Sequence, residues 1–391
     1  MSQNPPSYPA PVRGAESRPN ALAASFPSRQ RYRLVGWSLL GIGFLLLAAW
    51  TFTARGASLP SKPDIPEMED GVPMVAAAGS VCDLLELDRR FEERSGLSDI
   101  FQPDTLSFSL HFKHVHSPYR RMSAFLMPGE TFELEAVSSI GQPEFRACSW
   151  GGTLQHHDSA RWSWTAPEEP GIYRLYVASP TTGEAQQLHL FVMVPYEGER
   201  SLEGYRIGQY QSRPLRNNPA YNVPQGMVRV DRPEDLDIWV TPHFQLRQFQ
   251  CKQAGDYPKF IIVKEKMLLK LERLLEEVNR RGIDARTFAV LSGFRTPQYN
   301  AAIGNPTTYS RHAYGDAADI FVDENGDQRM DDLDGDGRET VADARILAGI
   351  VEDLVGDDTF EDFIGGLGLY GPKPHRGPFV HVDTRGFRAR W

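Results

Sequence analysis

The sequence predicts an α+β protein: a C-terminal domain with a small antiparallel sheet and flanking helices, preceded by an all-β sandwich and one N-terminal transmembrane helix. Three observations predict this order. An uncharged apolar run fills 34–54, short alternating segments fill 79–198, and a helical stripe with a short apolar strand follows residue 241. With 391 residues, the chain has room for two or three domains.

The apolar run at 34–54 is long enough to cross a bilayer as a helix. Arginines precede it and acidic residues soon follow it, and the basic side of such a helix normally stays in the cytoplasm. We therefore expect a single-pass anchor in the cytoplasmic (inner) membrane, with the N-terminus in the cytoplasm and the rest periplasmic or extracellular. A cleaved signal peptide is the alternative, but its n-region would be unusually long.

The segments on either side of this run are poor in large apolar residues. Residues 1–33 are rich in Pro, Ser, Arg and Ala, which predicts a disordered cytoplasmic tail. Residues 55–78 combine prolines with acidic residues, which predicts an extended linker. The net charge of -9 lacks the basic footprint typical of nucleic-acid-binding proteins, so we expect no nucleic acid partner.

Residues 79–198 show the period-2 alternation of half-buried strands, most clearly at 106–112. Further strands are predicted near 132–136, 162–164, 172–177 and 188–194, separated by turn residues, which favours a β-sandwich. The run TAPEEPGIYRLYV at 165–177 resembles the closing strands of immunoglobulin-like modules. We expect the partner of this domain, if it has one, to be a protein or a glycan.

The chain has three cysteines, and none are spaced as CxxC, so a thiolate zinc site is not supported. Cys82 and Cys148 lie in the same predicted domain, and an oxidising compartment would permit a disulfide between them. Cys251 would then be left over. Because the count is odd, the sequence alone assigns no connectivity.

Residues 199–240 predict an irregular connector, and 241–391 predict the α+β domain. Between 258 and 282, apolar residues recur at three- and four-residue steps, which predicts an amphipathic helix. Gly282 suits its C-terminal end. A short strand is predicted at 288–291 and another helix at 341–354.

Two separate pieces of the last domain carry a metal-ligand pattern. His312 and Asp319 lie in 310–319, and His381 lies in the apolar run 379–383. Two imidazoles and a carboxylate suit a catalytic zinc ion, which keeps a fourth position for water. The seven-residue spacing of His312 and Asp319 does not place both on one helical face as in HExxH. It fits a turn that enters a strand, with Gly315 permitting the bend.

Three ordered motifs in this region resemble the zinc D-alanyl-D-alanine carboxypeptidases and their endopeptidase relatives, closest to the YcbK-like subgroup. The motifs are Ser292-Gly-Phe-Arg295-Thr-Pro-Gln-Tyr-Asn300, Ser310-Arg-His312-Ala-Tyr-Gly315-Asp-Ala-Ala-Asp319 and Phe379-Val-His381-Val-Asp383-Thr384. The resemblance covers roughly residues 241–391. It implies His312, Asp319 and His381 as the zinc ligands and peptidoglycan peptides as the substrate. It also implies that Arg295 holds the substrate's carbonyl or carboxylate, as a guanidinium is able to do.

The chain departs from this family at the general base. Many members place Glu or Asp three residues before the third ligand, where this sequence has Pro378. Asp383 is the candidate base, because positions 381 and 383 of a strand face the same way. It serves equally well as a hydrogen-bond partner that orients His381. His375 is a weaker candidate for the base, and Tyr370 for oxyanion contact.

An acidic insertion between Asp319 and His381, at 323–343, predicts calcium binding. The run 332–343 matches an EF-hand loop at positions 1, 3, 5, 6 and 12, with Asp at the last position. Its predicted ligands are Asp332, Asp334, Asp336, the backbone carbonyl of Arg338, and Asp343. An overlapping second loop would use Asp323, Asn325 and Asp327, but it has Gln328 where the glycine belongs. We expect calcium to stiffen this insertion.

The functional expectation is a membrane-anchored zinc metallopeptidase that hydrolyses D-amino-acid-containing peptide bonds of peptidoglycan, as a D,D-carboxypeptidase or an endopeptidase. The hydrolytic chemistry follows from the ligand set, whereas the substrate class is implied by the resemblance. The alternative is a catalytically inactive, zinc-retaining module that binds cell-wall peptide or a protein partner. The missing acidic residue at Pro378 favours that alternative.

Overall fold

The computed structural model describes residues 75–76, 83–141, 143–305, 307–355 and 358–391. Over these residues the protein is a mixed α+β structure dominated by antiparallel sheets with few helices, which confirms the predicted class. Helices long and apolar enough to span a membrane are absent from this described part. The predicted tail, the transmembrane helix at 34–54 and the linker up to residue 74 lie outside it.

Ten strands build two five-stranded sheets in the first part of the described chain. They are β1 (Val75–Ala76), β2 (Thr105–Phe112), β3 (Val115–Tyr119), β4 (Arg121–Leu126), β5 (Thr131–Ser138), β6 (Arg146–Trp150), β7 (Thr153–His156), β8 (Arg161–Thr165), β9 (Gly171–Ala178) and β10 (Ala185–Val192). The strand orders are β1-β6-β9-β10-β4 and β3-β2-β5-β8-β7, and only the β10–β4 pairing among them is parallel. The inner faces pack on each other, as where Trp164 of β8 meets Tyr173 of β9.

A helix interrupts the part of the chain that the sequence predicted to be all-β. Helix α1 (Leu84–Glu93) is capped by Asp83, whose carboxylate accepts a hydrogen bond from the backbone N–H of Glu86. Its apolar stripe packs on the first sheet, opposite the main core, in a small cluster of Leu84, Leu87, Phe91, Cys148, Tyr176 and Ala185. The all-β prediction for 79–198 was therefore wrong at this segment, because a three- and four-residue spacing was taken as part of a β region.

Two of the three cysteines fall within the described residues. Cys148 on β6 is disulfide-bonded, and Cys251 is buried with a free thiol. Cys82 lies outside the described residues, so the pairing of Cys82 with Cys148 stays a prediction.

The predicted connector is more regular than its composition suggested. It contains β12 (Ser201–Leu202), β13 (Tyr205–Arg206) and β14 (Gly226–Val230), together with short 3-10 helices at Leu215–Asn217, Pro219–Tyr221 and Pro233–Asp237. Strand β14 lies between β11 (Val194–Pro195) and β15 (Lys259–Ile261) in a three-stranded antiparallel sheet. This sheet joins the end of the sandwich to the start of the last domain.

The last domain is built on a five-stranded sheet with the order β16-β17-β19-β18-β20. Its strands are β16 (Ala289–Ser292), β17 (Ala317–Phe321), β18 (Gly366–Tyr370), β19 (Phe379–Asp383) and β20 (Ala389–Arg390). Its helices are α2 (Glu265–Arg280), α3 (Pro297–Ala302) and α4 (Val341–Leu354), with 3-10 helices at Leu246–Phe249, Arg311–Tyr314 and Asp358–Phe363. The boundaries of α4 are those predicted.

The start of α2 differs from its prediction. The helix was expected from residue 258, but 259–261 form β15 and the helix begins at Glu265. Pro258 and the β-branched run Ile261-Ile262-Val263 favour extended backbone over helix. Gly282 follows the end of α2 with a φ of 84°, the left-handed conformation that the predicted end requires.

The sandwich and the last domain share one connected hydrophobic core. Polar contacts also cross between them. Glu265 of α2 pairs with Lys113 (2.9 Å) and accepts a hydrogen bond from the backbone N–H of Phe125 (3.0 Å). His243 contacts the Glu272 carboxylate through Nδ1 (2.7 Å) and the Gln102 carbonyl through Nε2 (3.0 Å). The last domain is therefore packed on the sandwich and does not hang from a free linker.

Candidate metal centre

Two neighbouring strands and a short helical turn bring the three predicted ligands together. Asp319 of β17 and His381 of β19 are directly opposite each other in the antiparallel pair. His312 lies on the 3-10 helix that immediately precedes β17. Gly315 ends that helix with a φ of 73°, and a Cβ there would lie 2.5 Å from the carbonyl oxygen of Ile262. The bend that the sequence assigned to Gly315 is therefore one that only glycine fits.

The ligand atoms of these residues converge in the interior of the domain. Oδ1 of Asp319 lies 2.9 Å from Nδ1 of His381 and 3.2 Å from Nε2 of His312, and the two nitrogens are 3.1 Å apart. All three side chains are buried. This group could hold a metal ion.

Each of the three side chains forms an outer hydrogen bond or ion pair through an atom other than the one that converges on the centre. Nδ1 of His312 lies 2.7 Å from the carbonyl oxygen of Gly293, which can only accept, so Nδ1 carries the proton and Nε2 keeps its lone pair. Nε2 of His381 lies 3.1 Å from the Asp383 carboxylate, so Nδ1 is the free nitrogen. The donor set, two imidazoles and one carboxylate with outer hydrogen-bond partners, could hold a metal ion.

The surroundings also favour an ionised Asp319. Burial raises the pKa of this carboxyl, but His312 and His381 outweigh burial and hold its pKa well below the ordinary value. Burial lowers the pKa of His312, which favours the neutral imidazole that binds a metal. For His381, burial lowers the pKa, but hydrogen bonds to Asp319 and Asp383 raise it overall.

Asp383 lies on the far side of the His381 ring from the converging atoms. Its side chain is fully buried, and Oδ1 accepts hydrogen bonds from the backbone N–H groups of Gly366 (2.7 Å) and Arg385 (3.1 Å). The Arg385 guanidinium pairs with the same carboxylate. Burial raises the pKa of Asp383, but His381 and Arg385 bring it far below the ordinary value. Both carboxylate oxygens of Asp383 are thus engaged by His381, Arg385 and the backbone.

Arg295 follows β16 and reaches the metal group directly. Its guanidinium pairs with Oδ2 of Asp319, and its Nε donates to the Ser292 hydroxyl (2.6 Å). Tyr370 lies on β18 and stacks on Phe379 with ring centroids 4.6 Å apart. His375 is exposed on the loop between β18 and β19.

The sequence assigned no role to two groups of residues around the centre. The ring of Trp391 lies 5.1 Å from that of His381, and its indole N–H donates to Tyr370 (2.6 Å). The indole rests on β18 because Gly366 and Gly368 have no Cβ; a Cβ would come within 2.9 and 2.5 Å of it. Two glycines at i and i+2 in a strand were the available signal for this close approach.

The other missed group is a buried ion pair between Arg311 and Asp316, which bracket His312. Nε of Arg311 donates to Oδ1 of Asp316 (2.9 Å), and the guanidinium lies over the rings of Tyr221 (4.2 Å) and Tyr314 (4.8 Å). The sequence did not predict this ion pair, because two charged residues five positions apart have no local pattern that shows they will pair. It fixes the turn that presents His312.

The acidic insertion brings only some of its predicted ligands together. Carboxylate oxygens of Asp332, Asp334 and Asp343 lie within 4.8 Å of one another. Among the described residues, Asp336, Asp323 and Asp327 are not in that group. The backbone carbonyl of Arg338 belongs to an exposed residue of the same loop.

Asp343 has a second role at the start of α4. Its Oδ2 accepts a hydrogen bond from the backbone N–H of Thr340 (2.6 Å), which makes a capping box, and its Oδ1 accepts one from Leu333 (2.8 Å). The backbone N–H of Asp336 lowers the pKa of Asp334, but burial and the negative charges of Asp336 and Asp343 outweigh it and raise the pKa. A bound cation would relieve this repulsion.

Comparison with known proteins leaves the fold and function unassigned. No family model and no curated protein matches the chain. The crystal structure of titin M3 domain is similar to it at 17% sequence identity, over 22% of this chain and 97% of that domain, with a TM-score of 0.14. At this TM-score the similarity supports no conclusion about fold or function.

Proposed function

We propose that this chain is a zinc-dependent peptidase that hydrolyses peptide bonds of peptidoglycan, of the D,D-carboxypeptidase or endopeptidase type. The observation that carries the proposal is the convergence of His312 Nε2, Asp319 Oδ1 and His381 Nδ1 within 3.2 Å of one another. Their outer partners leave these three atoms free for a metal. The motif resemblance around Arg295, His312 and His381 supports the substrate class.

His312, Asp319 and His381 would hold the zinc ion. A zinc ion with three such ligands keeps a position open for water and makes water a usable nucleophile near neutral pH. Arg295 lies beside Asp319 with its side chain 12% exposed, which supports a role in holding the substrate's carbonyl or carboxylate. Asp383 holds His381 in the tautomer that leaves Nδ1 free.

The peptidase would act outside the cytoplasm. The predicted span at 34–54 and the arginines before it support a single-pass anchor that leaves the described part on the periplasmic or extracellular side. Peptidoglycan lies in that compartment. We infer that the sandwich, which has the alternating strands expected of an immunoglobulin-like module, binds a protein or glycan partner.

The test uses the full-length chain in detergent, loaded with zinc and incubated with purified peptidoglycan. Mass spectrometry of the soluble fraction is expected to show released peptides for the wild type and none for His312→Ala or chelator-treated protein. His114→Ala, an exposed histidine between β2 and β3, is the matched control and is expected to cleave like the wild type. Folded, zinc-loaded wild type that releases no peptide would contradict the proposal.

A second candidate function is a zinc-retaining module that binds cell-wall peptide or a protein without cleaving it. The observation that favours it is that both oxygens of Asp383 are already engaged, while position 378 is proline. A general base must reach the proton that it accepts. This candidate predicts that zinc-loaded wild type binds peptidoglycan peptides but leaves them intact.

We further propose that calcium binds at Asp332, Asp334 and Asp343 and stabilises the insertion. With zinc held constant, calcium at about 100 times its Kd is expected to stabilise the native state by about 2.7 kcal/mol, seen as a rise in Tm by scanning calorimetry. Asp332→Ala is expected to abolish the rise. Glu361→Ala, which removes an exposed carboxylate outside the insertion, is the matched control and is expected to retain it. A Tm that is indifferent to calcium would refute the site.

A further inference from the structure

We propose that a cavity between the sandwich and the last domain binds a phosphate group. The cavity has a volume of about 360 Å³. Both parts of the chain line it: Phe91 and Arg94 at the end of α1, Arg121 at the start of β4, and Pro242 and His243 of the last domain. Its lining residues lie outside the metal-ligand motifs, so the site is independent of the proposed function.

Arg121 supplies a buried positive charge at this cavity, and the residue is only 7% exposed. Its Nε donates to the side-chain carbonyl of Gln187 (2.8 Å). Its Nη2 donates to the carbonyl of Phe91 (3.1 Å) and the hydroxyl of Ser95 (3.2 Å). Within the described part of the chain, Nη1 has no hydrogen-bond partner and no carboxylate pairs with the guanidinium. Burial lowers the pKa of Arg121 to about 10, although Asp104 offsets part of this effect.

Arg94 adds a second unpaired cation to the same cavity. It lies between Phe91 and Ser95, the two residues of this segment that contact Arg121. Arg94 is exposed, and among the described residues its side chain makes neither an ion pair nor a hydrogen bond. Two guanidinium groups therefore share one cavity, and both keep donors that a ligand can use.

The other charged groups at the cavity are already paired. Nε of Arg120 lies 2.7 Å from Oδ1 of Asp104. His243 places Nδ1 2.7 Å from the Glu272 carboxylate and Nε2 3.0 Å from the Gln102 carbonyl, and both of these groups accept hydrogen bonds. Both ring nitrogens therefore carry protons, and Glu272 balances the imidazolium. Burial lowers the pKa of His243, but Glu272 outweighs it and raises the pKa overall. The two unpaired guanidinium groups remain as excess positive charge.

A phosphate group matches this excess better than a carboxylate does. It carries a charge of about -1.5 to -2 near neutral pH, so one phosphate balances two guanidinium groups. A planar guanidinium also pairs with two phosphate oxygens at once. The bonds to Gln187, Phe91 and Ser95 already hold Arg121 in place, so binding costs it little conformational entropy. Free phosphate and the phosphomonoester of a larger molecule, such as a lipid headgroup, share this chemistry.

The experiment titrates inorganic phosphate into the full-length, zinc-loaded chain in detergent, at constant ionic strength and without calcium, by isothermal titration calorimetry. Arg94→Gln and Arg121→Gln are each expected to weaken phosphate binding about tenfold, the size of one lost charge-assisted hydrogen bond. Because Arg94 is exposed, Arg94→Gln tests the site even if Arg121→Gln fails to fold. Arg90→Gln is the charge-matched control, since Arg90 lies on α1 but contacts Gly183 outside the cavity. It is expected to bind phosphate like the wild type.

Titrations with glycerol 3-phosphate and with acetate identify the ligand. If glycerol 3-phosphate binds as tightly as phosphate, the site takes a phosphomonoester of a larger molecule; if phosphate binds and glycerol 3-phosphate does not, the ligand is free phosphate. Both results support the proposal. It is overturned if the wild type does not bind phosphate, or if acetate binds as tightly as phosphate. It is also overturned if Arg94→Gln and Arg121→Gln both bind phosphate like the wild type, since the phosphate would then bind elsewhere on the chain.

Discussion

Asp383→Asn is expected to weaken zinc binding about 10- to 100-fold, as loss of an outer hydrogen-bond partner does in other metal sites. The asparagine carbonyl would keep the bonds from the backbone N–H groups of Gly366 and Arg385. Its amide N–H would then face Nε2 of His381, which must accept instead of donate. The proton moves to Nδ1, the nitrogen that faces Asp319, and a protonated nitrogen does not coordinate a metal.

Competition with a chromophoric zinc chelator measures this effect. Arg385→Gln is the matched control, because it removes the cationic partner of Asp383 but keeps the carboxylate beside His381. We expect its zinc affinity to stay near that of wild type. Wild-type zinc affinity with lost cleavage in Asp383→Asn would instead return the general-base role to Asp383. If Asp383→Asn retains both the zinc affinity and the cleavage of wild type, Asp383 neither orients His381 nor acts as the general base.

The parts of the fold that the sequence predicted well are those that depend on local sequence patterns. The strand at 317–321 and the turn at Gly315 follow from a short apolar run and a residue free to adopt positive φ. The bounds of α4 follow from its Thr340 cap and its apolar spacing. The three converging residues His312, Asp319 and His381 were recognisable because each lies in a distinctive motif of a few residues.

Contacts between distant segments account for what the sequence did not predict. The pairing of β14 with β15 joins residues about 30 positions apart and has no local signature. Trp391 reaches the His381 ring only through long-range contacts with Gly368 and Tyr370 of β18. The role of Asp383 depends on which side of the His381 ring it occupies, which strand alternation alone leaves open.

Asp316→Ala is expected to lower the free energy of unfolding by about 3–5 kcal/mol, the cost typical of breaking a buried ion pair by removing one partner. Arg311 and Asp316 have side-chain exposures of 2% and 7%, so the substitution leaves a guanidinium in the interior without its carboxylate. The carbonyl of Ala220, which accepts from Nη1 at 3.0 Å, does not balance that charge. Because the pair brackets His312, we also expect weaker zinc binding.

Denaturant unfolding with zinc present measures the loss, and two comparisons isolate its cause. Glu339→Ala breaks the exposed pair with Arg329 and is expected to cost at most about 1 kcal/mol. The double variant Arg311→Met, Asp316→Leu removes both charges and is expected to be more stable than Asp316→Ala alone, since it leaves no uncompensated charge. If Asp316→Ala costs no more than Glu339→Ala, the buried pair does not hold the turn. If the double variant loses as much free energy of unfolding as Asp316→Ala, the loss comes from packing against Tyr221 and Tyr314 rather than from charge.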